Sequence, residues 1–325
     1  MTNLREKLLS SGLALKHSGK VRETYYLPDH SDKLLVIATD RVSIFDFVLR
    51  DTIPKKGEVL TAMTVFWLLE LSSDIKHHMV GYGSKIDAFL PEPLRGDKEI
   101  QACGLVIENL EMWPIECVVR GYLTGSGWKH YRETSSLNAC STELPPSLHD
   151  GSRITASFNP TTKEATGHDM PLDDRVAVDM YGQWVRDLSV DIYRKIATFA
   201  EDRGIILADT KFEFGFKPGQ DQVPILADEV GTPDSSRFWD LKEWEKSCEN
   251  KKSPSSYDKQ IVRNWGKTVG IDKHDPNLIA DVNEVLQTAV PSQIIRKTMN
   301  RYLVIFERIT GWSLADFQKV HMKIS

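Results

Sequence analysis

Residues Ile206–Gly215 read ILADTKFEFG and carry the densest chemistry in the chain. In a strand, alternate side chains share a face. Phe212, Phe214 and Phe216 are therefore expected to pack inward, with Asp209, Lys211 and Glu213 lining the opposite side. Three charged residues on one face of an apolar strand are costly unless that face meets solvent or a ligand. The next expected strand ends in Leu226-Ala227-Asp228-Glu229. If the two strands pair about a turn centred on Gln220-Asp221, Glu213 lies opposite Asp228. Opposed carboxylates repel across a hairpin unless a cation sits between them, and magnesium, a hard ion suited to carboxylate and phosphate oxygens, is the natural one. The competing reading is an exposed polar face neutralised by Lys211.

Two other segments carry anion-binding chemistry. Gly19-Lys20-Val21-Arg22 enters an expected hairpin, where backbone N–H groups and two cations can wrap phosphates; the same residues also suit a solvated turn. Trp113–Arg120 is an apolar strand closed by a guanidinium and followed by GYLTGSG, Gly121–Gly127. Arginine binds phosphate bidentately, and Ser126 with neighbouring amides can complete the cradle; alternatively Arg120 caps a strand with its head in water. Gly81–Lys85 lacks Walker A spacing, and no GxSxG or HExxH arrangement occurs, so covalent hydrolase chemistry finds no support.

The elements that must hold these residues follow from periodicity. Thr2 or Asn3 is expected to cap a short helix with Leu4, Leu8 and Leu9 on one face. Lys20–Leu27 and Leu34–Thr39 form a hairpin around Pro28–Asp32. A helix after Gly57 is expected to be capped at Thr61, with Met63, Phe66, Trp67 and Leu71 facing a core. Ile100–Asn109 and Ile115–Val119 read as strands, and Arg132–Asp174 reads as patternless connection, its first half, through Asp150, open equally to a surface insertion and to a functional segment. A helix runs through Met180, Trp184, Leu188, Ile192 and Ile196 and stops at Gly204. Ile205–Phe216 and Val223–Val230 are strands around Pro218-Gly219. From Lys242 on the chain reads as helices, with Tyr257, Ile261 and Trp265 on one face and Pro291 starting the last long one. The fold class is α+β, divided as 1–112, 113–241 and a helical region 242–325.

The 325 residues carry 46 acidic against 41 basic side chains, so a net charge of -5 gives no general attraction to nucleic acid. No apolar run is long enough to cross a membrane. Cys103, Cys117, Cys140 and Cys248 form no CxxC pair. Cys103 and Cys117 sit in strand-like apolar surroundings, and this usage suits a reducing compartment, the cytosol.

At these segments the sequence resembles the SAICAR synthetase (phosphoribosylaminoimidazole-succinocarboxamide synthase) family, in its longer, yeast-type form. Met112–Ser126 and Leu207–Gly215 carry the resemblance, together with Gly19–Arg22, Ala227–Arg237 (ADEVGTPDSSR) and Phe238-Trp239. Thr39-Asp40-Arg41-Val42-Ser43 and Ile53–Leu60 (IPKKGEVL) add to it, so the anchors run from about residue 19 to 265. The resemblance implies two α+β domains clasping ATP, followed by helices; the helical tail itself suits either a homodimer or a monomer in which it covers the sheet of its own chain. It implies nucleotide-phosphate contacts from Lys20 and Arg22, adenine near Asn109–Met112, and Mg2+ on Glu213 and Asp228. Arg120, Ser126 and Arg237 would bind a ribotide phosphate, with Lys211 and Asp209 beside the reacting groups. Lys163, His168 and Asp169 match a polar loop where L-aspartate is expected. Asp209 and His168 are the candidates for the base. The implied reaction joins carboxyaminoimidazole ribotide to aspartate through an acyl phosphate. Another ATP-dependent carboxylate–amine ligase, a small-molecule kinase and a silent nucleotide-binding module are the alternatives.

Overall fold

A computed structural model describes residues 4–137, 140–163 and 170–325. The expected cap at Thr2 or Asn3 and the pair His168-Asp169 lie outside these. The chain divides into two units: Met1–Glu70, His77–Leu110 and Asp258–Ser325 form the first, Leu71–Lys76 and Glu111–Tyr257 the second. The segment read as one helical region from residue 242 thus divides at Asp258.

In the first unit, β1 (Ala14–Ser18), β2 (Arg22–Leu27), β3 (His30–Ala38), β6 (Met79–Tyr82) and β7 (Gly104–Glu108) form an antiparallel sheet in the order β1-β2-β3-β7-β6. The β2–β3 hairpin turns more tightly than expected, at Pro28-Asp29. β4 (Arg41–Ile44) and β5 (Phe47–Thr52) make a separate hairpin whose two turn residues, Phe45 and Asp46, have φ of 49° and 66°. Positive φ at both central positions matches the right-handed twist of the flanking strands.

Several first-unit expectations need correction. Ile100–Cys103 belongs to a helix, Lys98–Cys103, because the Asp97 side chain accepts from the Ile100 amide and caps it; only Gly104–Glu108 is strand. Cys103 therefore ends a helix. The helix expected after Gly57 starts at Lys56, with Asp40 Oδ1 accepting from the Gly57 amide at 2.9 Å. Thr61 lies inside it and donates to Cys103 O at 2.9 Å. Leu9 is exposed although Leu8 is buried. In the tail, Val262 rather than Ile261 is buried on the helix Gln260–Thr268, and Tyr257 precedes that helix. Val262, Ile271, Val285 and Val290 cover Val42, Ile44, Phe47 and Leu49 of the β4–β5 hairpin.

The second unit is built on a seven-stranded sheet of β8 (Glu111–Met112), β9 (Ile115–Tyr122), β10 (Arg153–Phe158), β11 (Thr161–Thr162), β12 (Ile205–Phe216), β13 (Ile225–Ala227) and β14 (Ser236–Asp240). β12 is its axis, pairing with β9, β14, β13 and β8. Phe212 and Phe214 are buried as expected, and Phe214 and Phe216 join Trp113 and Trp184 in an aromatic cluster. The helix Trp184–Glu201 lies against this sheet, its Tyr193 Oη donating to Leu207 O at 2.7 Å. A Cβ at Gly121 would stand 2.0 Å from Tyr193 Oη, so only glycine fits there.

The helix expected from Met180 is two helices, Asp174–Tyr181 and Trp184–Glu201, broken where Gly182 takes φ 94°. Arg132–Asp174 is not patternless: β10 pairs with β9. Its first half is no loose insertion either, since Leu137, Cys140, Leu144 and Leu148 pack with Leu123 and Tyr131. Val223–Val230 shortens to β13, because Asp228 and Gly231 turn the chain at φ 58° and 59°. Among the described residues no helix is long and apolar enough to cross a membrane.

Candidate active site

Three neighbouring strands of the second unit bring the charged residues together. On β12, Asp209 stands opposite Arg120 of β9 and Arg237 of β14. Its Oδ2 accepts from Arg120 Nη1 at 2.6 Å and from Arg237 Nη1 at 3.1 Å. Arg120 also donates through Nε to Asn159 Oδ1 at 2.9 Å and through Nη2 to Ser126 Oγ at 3.2 Å. Burial works against the Arg120 charge and Asp209 works for it, with the net effect of lowering its pKa. Ser126 lies in the first turn of the helix Gly125–Thr134. Gly125 has φ 58°, and a Cβ there would meet both terminal nitrogens of Arg237 at 3.0 Å. The glycine thus lets a guanidinium lie directly against the helix start, where unpaired amides already favour an anion.

Two residues further along β12 the pattern changes from guanidinium to ammonium. Lys211 Nζ lies 2.5 Å from Glu116 Oε1 and 3.5 Å from Glu213 Oε1. Burial alone would lower the Lys211 pKa, but Glu116, Glu213 and Asp228 raise it and keep the amine charged. Glu213 is buried, and its other oxygen pairs with Lys163. The expected opposition of Glu213 to Asp228 needs correction: the pairing is centred on Gln220, and Glu213 stands opposite Ala227. Asp228 follows directly in a left-handed conformation, and its charge still reaches Glu213. Burial first, and Asp228 second, push the Glu213 carboxyl above its usual range. Among the described residues no group of three or more His, Cys, Asp or Glu could hold a metal. Two carboxylates nevertheless fit magnesium, which commonly takes one or two from protein and the rest from phosphate and water.

In the first unit the loop Gly19–Arg22 folds on itself, Gly19 N donating to Arg22 O at 2.8 Å, and Lys20 pairs with Asp46. Asn109 accepts from Lys16 Nζ at 2.7 Å, and its amide donates to Asp32 O at 2.9 Å. In the second unit Met112 is exposed on β8 opposite Gly215. His168 and Asp169 lie outside the described residues. Sequence reasoning assigned no role to Asn159 or Glu116. Glu116 lies within Met112–Ser126, a segment that carries the resemblance, which is a usable signal; Asn159 follows Arg153–Phe158, a short alternating strand inside a stretch rich in Ser, Thr and Pro.

The model of the SAICAR synthetase family matches residues 15–277. The phosphoribosylaminoimidazole-succinocarboxamide synthase of Thermodesulfovibrio yellowstonii is 40% identical over 306 residues, covering 92% of this chain and 96% of that protein. That of Rhodococcus jostii is 40% identical over 307 residues, with 92% and 95% covered. Among solved structures, the SAICAR synthase of Saccharomyces cerevisiae, complexed with SAICAR, superposes with a TM-score of 0.76 at 33% identity, over 93% of this chain and 96% of that one. The chain belongs to the SAICAR synthetase family.

Proposed function

We propose that this chain is the ligase that joins carboxyaminoimidazole ribotide to L-aspartate with ATP, giving SAICAR, ADP and phosphate in purine biosynthesis. The observation that carries the reading is Asp209 gripping Arg120 and Arg237 beside Ser126. Two guanidiniums, a hydroxyl and a helix start make a phosphate cradle, and it stands two residues along one strand face from Lys211. A ribotide anchored there by its phosphate presents its ring carboxylate toward the lysine cluster.

The carboxylate is a poor electrophile. Its oxygen attacks the γ-phosphorus of ATP, ADP departs, and an acyl phosphate forms. The aspartate amine, having lost a proton, then attacks the acyl carbon and expels inorganic phosphate. Lys211 balances the charge gathering on the transferred group. Glu213 and Asp228 hold Mg2+, which supplies further neutralisation when bound. Lys20 and Arg22 bind the nucleotide phosphates, and Asn109 and Met112 border the adenine. Lys163, paired with Glu213, is placed to receive a carboxylate of aspartate; His168 and Asp169 are the other candidates. Asp209 orients both arginines and lies beside the reacting groups. Unpaired thiols at all four cysteines suit a cytosolic enzyme.

The test is turnover: ADP should be released continuously only when ribotide and aspartate are both present, with at most one equivalent per enzyme from the ribotide alone. Continuous ADP release with aspartate and a non-phosphorylated acid, or with no amine, would point to another ligase or to a kinase. Replacing Arg120 with methionine should raise KM for the ribotide roughly ten- to a hundredfold, the worth of a charge-assisted phosphate contact, and leave KM for ATP nearly unchanged. Equal loss of ATP affinity would remove Arg120 from the ribotide cradle. Gly125→Ala should act in the same direction, because the new methyl displaces Arg237 and the left-handed φ disfavours alanine. A wild-type ribotide KM in that variant would detach Arg237 from the phosphate.

A further inference from the structure

One side chain shapes the glycine loop of the first unit. Arg41 Nη2 donates to Gly19 O at 3.0 Å, Nε donates to Lys20 O at 3.1 Å, and Nη1 donates to Glu23 Oε1 at 2.7 Å. Glu23 is itself built in: it is 3% exposed, accepts from Tyr25 Oη at 2.5 Å, and has Arg5 Nη1 3.5 Å from Oε1. Burial alone would push the Glu23 carboxyl up, but the bonds from Tyr25 and Arg41 hold it below its usual range. The anchor is thus a carboxylate at neutral pH.

The remaining carbonyls of the loop are tied as well. Val21 O accepts from the Thr39 amide at 2.9 Å and from Thr39 Oγ1 at 2.8 Å, and Arg22 O accepts from Gly19 N. Every carbonyl from Gly19 to Arg22 is therefore engaged, two of them by one guanidinium. Carbonyl oxygens turned toward a phosphate would repel it; held by Arg41 and Thr39, they point elsewhere.

We propose that Arg41, anchored on Glu23, is a positioning residue that sets the Gly19–Arg22 loop in the form that receives nucleotide phosphates. This rests on the reading of that loop as the nucleotide-phosphate segment. Arg41 holds the backbone; Lys20 and Arg22 make the contacts. A lysine at position 41 cannot replace it, since one ammonium cannot span three acceptors set out for a planar fork.

The experiment compares Arg41→Met, Arg41→Lys, the double variant Arg41→Met/Glu23→Gln and Lys20→Met. Arg41→Met should raise KM for ATP about tenfold while KM for ribotide and aspartate stay within about twofold. Exchange at the Gly19 amide should speed up in the same protein. Arg41→Lys should share the ATP defect. Because Arg41→Met strands a buried carboxylate, it should also lower Tm; the double variant should recover Tm and keep the raised KM for ATP. Recovery of both would make Arg41 merely structural and overturn the proposal, as would a wild-type KM for ATP in Arg41→Met. Lys20→Met separates the two levels. A raised KM for ATP there with none in Arg41→Met removes only the positioning role. An unchanged KM for ATP in Lys20→Met removes the nucleotide reading of the loop, and the proposal with it.

Discussion

Turnover should fall at least about a hundredfold in Glu213→Ala and in Asp228→Asn, with added magnesium failing to restore it. Asparagine is the better probe at 228 because that residue sits at φ 58°, a conformation asparagine tolerates and alanine does not. The same pair predicts a stability effect whose sign is opposite to its effect on turnover. Burial and the Asp228 charge raise the Glu213 carboxyl above its usual range. A carboxyl raised on folding binds its proton more tightly in the folded chain than in the unfolded one. Stability is therefore lost as pH rises through the span between the two values, and stays lost above it. Removing the Asp228 charge should return part of that loss. Asp228→Asn should melt higher than wild type at neutral pH without divalent ions, and the advantage should shrink in acid. Magnesium should raise the Tm of the wild type at neutral pH and have little effect on the variant. Equal magnesium stabilisation of both proteins, or wild-type turnover in Asp228→Asn, would sink the metal assignment.

How far the site could be read from residues alone depended on whether neighbours in space were neighbours in pattern. Alternation of Phe212, Phe214 and Phe216 against Asp209, Lys211 and Glu213 is a property of one strand, so the charged face of β12 was legible. Pairing register is not a property of one strand. A loop from Lys217 to Gln222 admits more than one centre, and the actual one moves the partner of Glu213 from Asp228 to Ala227. Elements set in polar surroundings fared worst. β10, Arg-Ile-Thr-Ala-Ser-Phe, alternates polar and apolar residues over only six positions inside a stretch rich in Ser, Thr and Pro. Its strand signal is therefore short and easily passed over, yet its pairing with β9 leads the chain to Asn159 and thus to the support of Arg120. The helix Lys98–Cys103 shows the converse: an apolar run that suits a strand becomes helical because Asp97 caps it. Arg120 and Asp209 are 89 residues apart, so their contact belongs to the pairing of β9 with β12, which neither periodicity nor the resemblance gave.

The order of bond making gives the last expected result. If the ribotide carboxylate attacks ATP, the oxygen that attacks stays on phosphorus when the amine displaces it. Oxygen-18 placed in that carboxylate should therefore appear in the released inorganic phosphate. Lys211 is the group positioned to favour this step: its amine is kept charged by Glu116, Glu213 and Asp228 against the pull of burial. It contacts two carboxylates rather than one, so it can lean toward a new anion without losing all its partners. Charge that gathers only in the transition state gains most from a fixed cation. Lys211→Ala should accordingly lower kcat by roughly a hundred- to a thousandfold and change KM for ribotide and ATP much less. Part of that loss has a second source, because Glu116 and Glu213 then face each other with one cation fewer. Lys211→Arg separates the two: it keeps the charge for the carboxylates but moves it, so Tm should be retained while kcat stays low. A Lys211→Ala defect confined to KM would take the residue out of the chemistry, and unlabelled phosphate from the wild type would exclude the acyl phosphate altogether.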